Sequence, residues 1–186
     1  MRDKDKRKHK LIELLKTTPA DQISVKAVVM VTNISKQTFY NNFACLTDAF
    51  GCLVCDMIDE ALENSFNLGD WMSVAEEVLR SFTNNRDILI NLWDSKWRND
   101  ITRIIADHIY PVIISDINSR EMETNHQAGD EGTVMIAGIC QDIFIGLIKR
   151  YMSGDMEKDP GALINVYRAF LKMDTGGSIR ACLHEN

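Results

Sequence analysis

The sequence predicts an all-α protein of about nine helices. Three observations carry that prediction. Apolar residues recur at helical spacing through most of the chain, no stretch alternates strictly between apolar and polar residues, and no hairpin turn signals flank the apolar runs. The 186 residues are 45% hydrophobic and 26% charged, with 3 prolines and 10 glycines, which excludes disordered, collagen-like and coiled-coil classes. At this length roughly two-thirds of the unfolded chain's surface can be buried without disulfide or metal staples.

The first helix is expected over Lys4 to Thr17, with Leu11, Ile12, Leu14 and Leu15 as its inward stripe and Pro19 ending it. A short second helix runs from Ser24, its N-cap, to Thr32, with Val25, Val28 and Val29 inward. Asn33 breaks it, because Asn tolerates the left-handed backbone of a tight turn. Ser35 caps a third helix ending at Asn42, anchored by Phe39 and Phe43 four residues apart. A long fourth helix spans Thr47 to Asn64, capped by Thr47.

Asp70 is expected to cap a segment ending near Asn84, followed by a helix over Arg86 to Lys96 and one over Asp100 to Arg120 that Pro111 should kink. Residues 121–133 (EMETNHQAGDEGT) are polar and contain glycine, so they read as a mobile loop. Helices over Thr133 to Ser153 and Pro160 to Met173 close the fold, and the stretch 174–186, without periodicity, is expected to be a disordered tail.

The net charge of -6 argues at first against a polyanionic partner. Its distribution argues the reverse. Residues 1–43 hold nine basic and four acidic residues, a net +5, which leaves 12 basic and 23 acidic residues, a net -11, for the remainder. Such a split suits a basic head that meets a polyanion and an acidic body that stays away from it. The charged opening MRDKDKRKHK is not followed by an uninterrupted apolar run, so no secretory signal is expected and the location read is cytoplasmic. The most apolar stretch, Val134 to Ile148, is broken by Gln141 and Asp142 and falls short of the ~20 residues that span a bilayer, so no membrane partner is expected. Five cysteines at irregular positions (45, 52, 55, 140 and 182) do not form a disulfide framework.

Two short helices joined by a tight turn, the second polar on its outer face and preceded by a basic arm, are the ingredients of a helix-turn-helix. A polar helix can enter a major groove ~12 Å wide, where the amides of Gln37, Asn41 and Asn42 could read base edges. Lys36, Thr38 and Tyr40 suit phosphates, which fix register without reading sequence, and Lys26 is a further phosphate candidate.

The run Ser24 to Phe43 (SVKAVVMVTNISKQTFYNNF) resembles the DNA-binding signature of the tetracycline-repressor (TetR) family. The resemblance covers about residues 8–55, and its specific part is Ser35, Thr38, Phe39, Tyr40 and Phe43 at their fixed spacing. It implies an N-terminal three-helix helix-turn-helix domain, residues 1–46, and a C-terminal helical ligand-binding and dimerisation domain, residues 47–173. It departs from the family pattern at Asn33, where glycine is usual, and at Leu46, where a phosphate-contacting lysine is usual. The basic arm from Arg2 to Lys10, with Arg7 and Lys8, is expected to compensate by reaching the backbone or minor groove. The expected DNA contacts are therefore Lys26, Ser35, Lys36, Gln37, Thr38, Tyr40, Asn41, Asn42, Arg7 and Lys8.

One such motif reads only a few base pairs, so a homodimer on a palindromic double-stranded operator is expected. Gly138 and Gly146 permit close backbone approach, and Ile139, Ile143, Leu147 and Tyr167 complete the expected interface. The resemblance also implies a chamber for a small-molecule effector of unknown identity. Phe66, Trp71, Met72, Trp93, Trp97, His108 and Tyr110 offer apolar walls with polar tips for it. Ligand binding would release the protein from DNA by favouring one spacing of the paired heads.

Other motifs carry less. Cys52 and Cys55 share one helix face without the four ligands zinc needs, and Asp174-Thr175-Gly176 lacks the paired hairpins and second carboxylate of an aspartic-protease site. No nucleophile, phosphate loop, metal site or cofactor motif is evident, so no enzyme activity is expected. The sequence therefore reads as a repressor released by a ligand. The alternative is a protein-interaction adaptor or thiol-responsive regulator with a weakened head, which Leu46 motivates.

Overall fold

The computed structural model describes residues 3–65, 71–124 and 129–154, together with positions 161, 162, 165 and 169. Among these residues there are eight α-helices and no strand: α1 (Asp3–Thr17), α2 (Val25–Thr32), α3 (Lys36–Asn42), α4 (Leu46–Ser65), α5 (Trp71–Asn84), α6 (Arg86–Trp93), α7 (Arg98–Thr124) and α8 (Gly129–Ser153). The chain is all-α, as its periodicity predicts. Of the expected last helix, only Gly161, Ala162, Asn165 and Ala169 are described, and they are helical. The rest of that helix, the Asp70 cap and the tail lie outside the described residues.

Local chemistry explains the head. Ser24 accepts the Ala27 N–H at the start of α2, and Ser35 accepts the Thr38 N–H at the start of α3. Asn33 sits between them at φ 55°, ψ 46°, the left-handed region, and its N–H and that of Ile34 close on the Val29 carbonyl. Phe39 is fully buried, with the Tyr40 ring edge-on at 5.3 Å and the Phe43 ring at 5.4 Å. α1 packs on α2 and α6, and α2 packs on α3.

The body is built around α4, which packs on α5 and α7, while α7 packs on α8. Gly51 lets α4 approach α7 closely, since a Cβ there would stand 2.6 Å from Ile104 Cδ1. Several helix limits differ from the sequence reading. α4 starts at Leu46, and the capping work falls not to Thr47 but to the Asp48 carboxylate, which accepts the Ala44 N–H at 2.8 Å. α6 stops at Trp93 because the Ser95 hydroxyl turns the chain, donating to the Leu92 carbonyl and accepting the Trp97 N–H. α7 runs through Pro111 as one helix, because Pro111 and Asp107, four residues earlier, are both exposed and water can serve the orphaned carbonyl. Residues 121–124 and 129–133, read as loop, are helical. Exposed Glu131 lies in the first turn of α8, where the helix dipole favours acids.

That extension has a second consequence. On length and composition alone, Glu131–Ser153 is apolar enough to cross a bilayer, which the shorter reading of this stretch did not expect. Its Ala137, Phe144, Leu147 and Ile148 side chains are buried in the chain's own core.

Candidate nucleic-acid interface

α3 is held from three sides. Its start is capped by Ser35, its Phe39 is locked in the core, and the Phe43 N–H closes its last turn on the Phe39 carbonyl. What remains outside is one face carrying Lys36, Gln37, Tyr40 and Asn41, all exposed, with Tyr40 at 51%. These positions are zero, one, four and five residues into the helix, the spacing that puts side chains on one side of it. A cation, a phenol and two amides there offer donors and acceptors on a rigid rod, without the apolar surface that would drive it into a core.

The other six expected contacts divide. Lys26 and Arg7 are exposed. Ser35 Oγ is occupied by the Thr38 N–H at 2.9 Å and lies 2.8 Å from Thr38 Oγ1, so both hydroxyls serve the cap. Asn42 Nδ2 donates to the Thr38 carbonyl at 2.6 Å. Lys8 points back to α4, pairing with Glu60 and lying 3.8 Å from Asp56. Leu46 is half-buried against the core.

Behind α3, the helices α1, α2, α3 and α4 line a half-open cleft of about 280 Å³. None of the expected effector-pocket residues lines it. Trp93 is buried under the Arg98 guanidinium, 5.2 Å from its ring, and Trp97 packs edge-on against Phe50. His108 Nε2 meets Asp59 Oδ1 at 2.7 Å, and Tyr110 is half-buried against the core. Phe66 and the side chains of Trp71 and Met72 lie outside the described residues. The described chamber candidates thus take part in packing and, at His108, in a hydrogen bond to Asp59.

On α8 the expected interface residues face different ways. Ile139 is 51% exposed, whereas Leu147 is 8% exposed and belongs to the core of its own chain, so it is not open to a partner. Gly138, Ile143 and Gly146 are half-buried, and Tyr167 lies outside the described residues. Val134 and Met135, unnamed by sequence reasoning, are 56% and 66% exposed and continue the Ile139 stripe at helical spacing.

Sequence reasoning also missed the junction between the first three helices and α6. Asn91 of α6 donates from Nδ2 to the carbonyls of Leu15 (2.5 Å) and Thr18 (2.8 Å) and accepts the Ala20 N–H at Oδ1 (2.7 Å). Asp21 accepts the Lys96 N–H at 3.2 Å. The one signal available was an amide in the apolar run ILINLW, where a polar side chain needs partners.

Cys45 and Cys52 are exposed, and Cys55 is half-buried with its thiol pushed up to about 11 by burial first and then by Cys52, Asp59 and Asp56. Among the described residues no three His, Cys, Asp or Glu side chains are grouped to hold a metal ion.

Residues 69–172, more than half of the chain, match the TetR-type family model described as "Transcriptional regulator C-terminal region". The chain belongs to the TetR family of transcriptional regulators. Its fold agrees with that membership. The solved structure of "Dihydroxyacetone kinase operon activator DhaS" superposes with a TM-score of 0.67 over 92% of this chain and 97% of that one, at 14% sequence identity. At that identity the likeness concerns the fold alone. No curated protein matches the chain in sequence. Family membership makes the protein a transcriptional regulator, and the TetR-type match falls on the half of the chain that follows the helix-turn-helix pattern.

Proposed function

We propose that this TetR-type regulator binds a palindromic double-stranded operator as a homodimer in the cytoplasm, and acts as a repressor released by a small-molecule effector. The observation that carries the DNA reading is the exposed Lys36, Gln37, Tyr40 and Asn41 face of α3, backed by buried Phe39 and capped by Ser35. Arg7 and Lys26 add exposed charge on the same basic segment. In this reading residues 1–46 form the DNA-binding domain and residues 47–173 the ligand-binding and dimerisation domain. The exposed stripe of Val134, Met135 and Ile139 supports pairing through α8, because water-exposed apolar side chains in a row gain most by meeting a second copy. Gly138, Ile143, Gly146 and Tyr167 are the further residues proposed for that interface. The effector is proposed to enter the body near Phe66, Met72, Trp93, Trp97, His108 and Tyr110.

The test is binding of purified protein to DNA from upstream of its own coding region, at two salt concentrations. Specific binding that weakens steeply with salt is expected, and it should vanish in a Lys36→Ala plus Tyr40→Ala variant that keeps its helical content. Binding that ignores salt would instead favour an adaptor acting through protein partners.

A further inference from the structure

A half-open cleft beside α3 lies outside the body. It sits at the junction of α1 to α4, with buried Leu11, Val28, Ala49 and Leu53 at its floor and exposed Arg7, Asn42 and Cys52 at its rim. α4 presents Ala49, Cys52, Leu53 and Asp56 to it, positions that recur every three or four residues on one helix face, and the first two are small. Val28 and Phe43 supply apolar wall opposite. A cleft of about 280 Å³ sits just under the roughly 300 Å³ at which drug-sized pockets begin. It suits a single ring or a medium-length alkyl chain.

The charge at its edge selects among such molecules. Arg7, Lys8 and Asp56 line the same cavity. Lys8 and Asp56 lie 3.8 Å apart, and Lys8 is further neutralised by Glu60. Arg7 is exposed. The cleft thus has an apolar floor and an exposed guanidinium at its rim, whose planar fork fits an anion with two acceptor oxygens.

We infer that the junction of α1 to α4 is a binding site for a small amphipathic carboxylate, its apolar part between Val28, Phe43 and Leu53 and its carboxylate on Arg7. The site is separate from the effector chamber proposed for the body. Because Asn42 and Phe43 at the end of α3 line it as well, an occupant bears on the end of the helix proposed to read DNA. That coupling, unlike the site itself, rests on the DNA reading.

Octanoate is a suitable probe, and Cys52 is a built-in reporter, since it lines the cavity and is exposed, while Cys45, also exposed, lies outside it. Maleimide labelling of the full chain is followed residue by residue by mass spectrometry. Saturating octanoate is expected to slow Cys52 labelling at least several-fold and to leave Cys45 unchanged. Octanol should protect about tenfold more weakly, and Arg7→Ala should remove the difference between the two probes. Ala49→Leu, which fills the cavity, should abolish the octanoate effect, and its helical content reports whether it folds. Equal labelling with and without octanoate, equal protection of both thiols, or equal potency of octanol in the unaltered chain would each overturn the site. In a parallel arm, octanoate should lower operator affinity several-fold. Protection of Cys52 without a change in operator affinity would overturn the coupling alone, and a protected Cys52 in a chain that binds no DNA would overturn the DNA reading and leave the site standing.

Discussion

The Asn91 carboxamide of α6 accepts the backbone N–H of Ala20 at 2.7 Å, across 71 positions of sequence. Its amide nitrogen meanwhile donates to the carbonyls of Leu15 and Thr18, which α1 leaves open where it ends. One side chain therefore satisfies three main-chain groups at a half-buried seam. Asn91→Ala strands all three and should destabilise the protein by about 2 kcal/mol in urea unfolding. Exposed Asn99→Ala serves as control and should change stability by less than about 0.5 kcal/mol. Equal effects of the two would mean that the seam is not held this way.

Asn33 adopts φ 55° between α2 and α3. A β-carbon without a local hydrogen-bonding tip is strained there, so Asn33→Ala should cost about 1 kcal/mol, whereas Asn33→Gly should be neutral or stabilising. Thermal unfolding of the two variants checks the ordering. Asn33→Gly would also restore the residue that the family usually carries at this turn.

Gly51 faces Ile104 across the α4–α7 contact. Gly51→Ala gains helix propensity but drives its methyl into Ile104, and the net should be a loss of about 1 kcal/mol. Ile104→Val removes the offending Cδ1. In the Gly51→Ala background it should therefore cost less than in the original chain, and a double-mutant cycle reads that coupling.

The lysines of the basic segment are expected to differ in their effect on DNA binding. Lys36 and Lys26 are exposed, and replacing either with Ala should lower the slope of log affinity against log salt by about one. Lys8 is engaged with Glu60 and Asp56, so Lys8→Ala should leave the slope nearly unchanged.

Burial, and then the neighbouring Cys52, Asp59 and Asp56, push the Cys55 thiol up from an ordinary 9.0 to about 11, because they disfavour its thiolate. The unfolded chain releases this proton at lower pH than the folded one. The contribution to stability is therefore fully present below pH 9 and is lost as pH rises from about 9 to 11. Maleimide labelling of Cys55 in the folded protein should rise over the same window. Labelling already complete at pH 8 would contradict the burial that shields it.

What could be read from sequence was what neighbours in sequence decide. Ser24, Asn33 and Ser35 act on backbone groups within four residues of themselves, so the turn and both caps were legible. Thr47 misled because Asp48 offers a stronger acceptor one residue later. Lys8, Asn91 and His108 find partners in distant parts of the sequence, and no local pattern marks those pairings. On α8, apolar residues surround the helix, so periodicity could not tell Leu147, which faces the core, from Ile139, which does not. The polar stretch at 121–133 had loop composition, yet residues 121–124 and 129–133 belong to α7 and α8.

α4 is gripped within a single turn from both directions: Asp56 and Glu60 reach Lys8 of α1, and Asp59 reaches His108 of α7. Any axial twist of α4 large enough to free Lys8 also carries Asp59 away from His108. The three side chains on this one stretch of α4 therefore tie its rotational setting to α1 and α7 together.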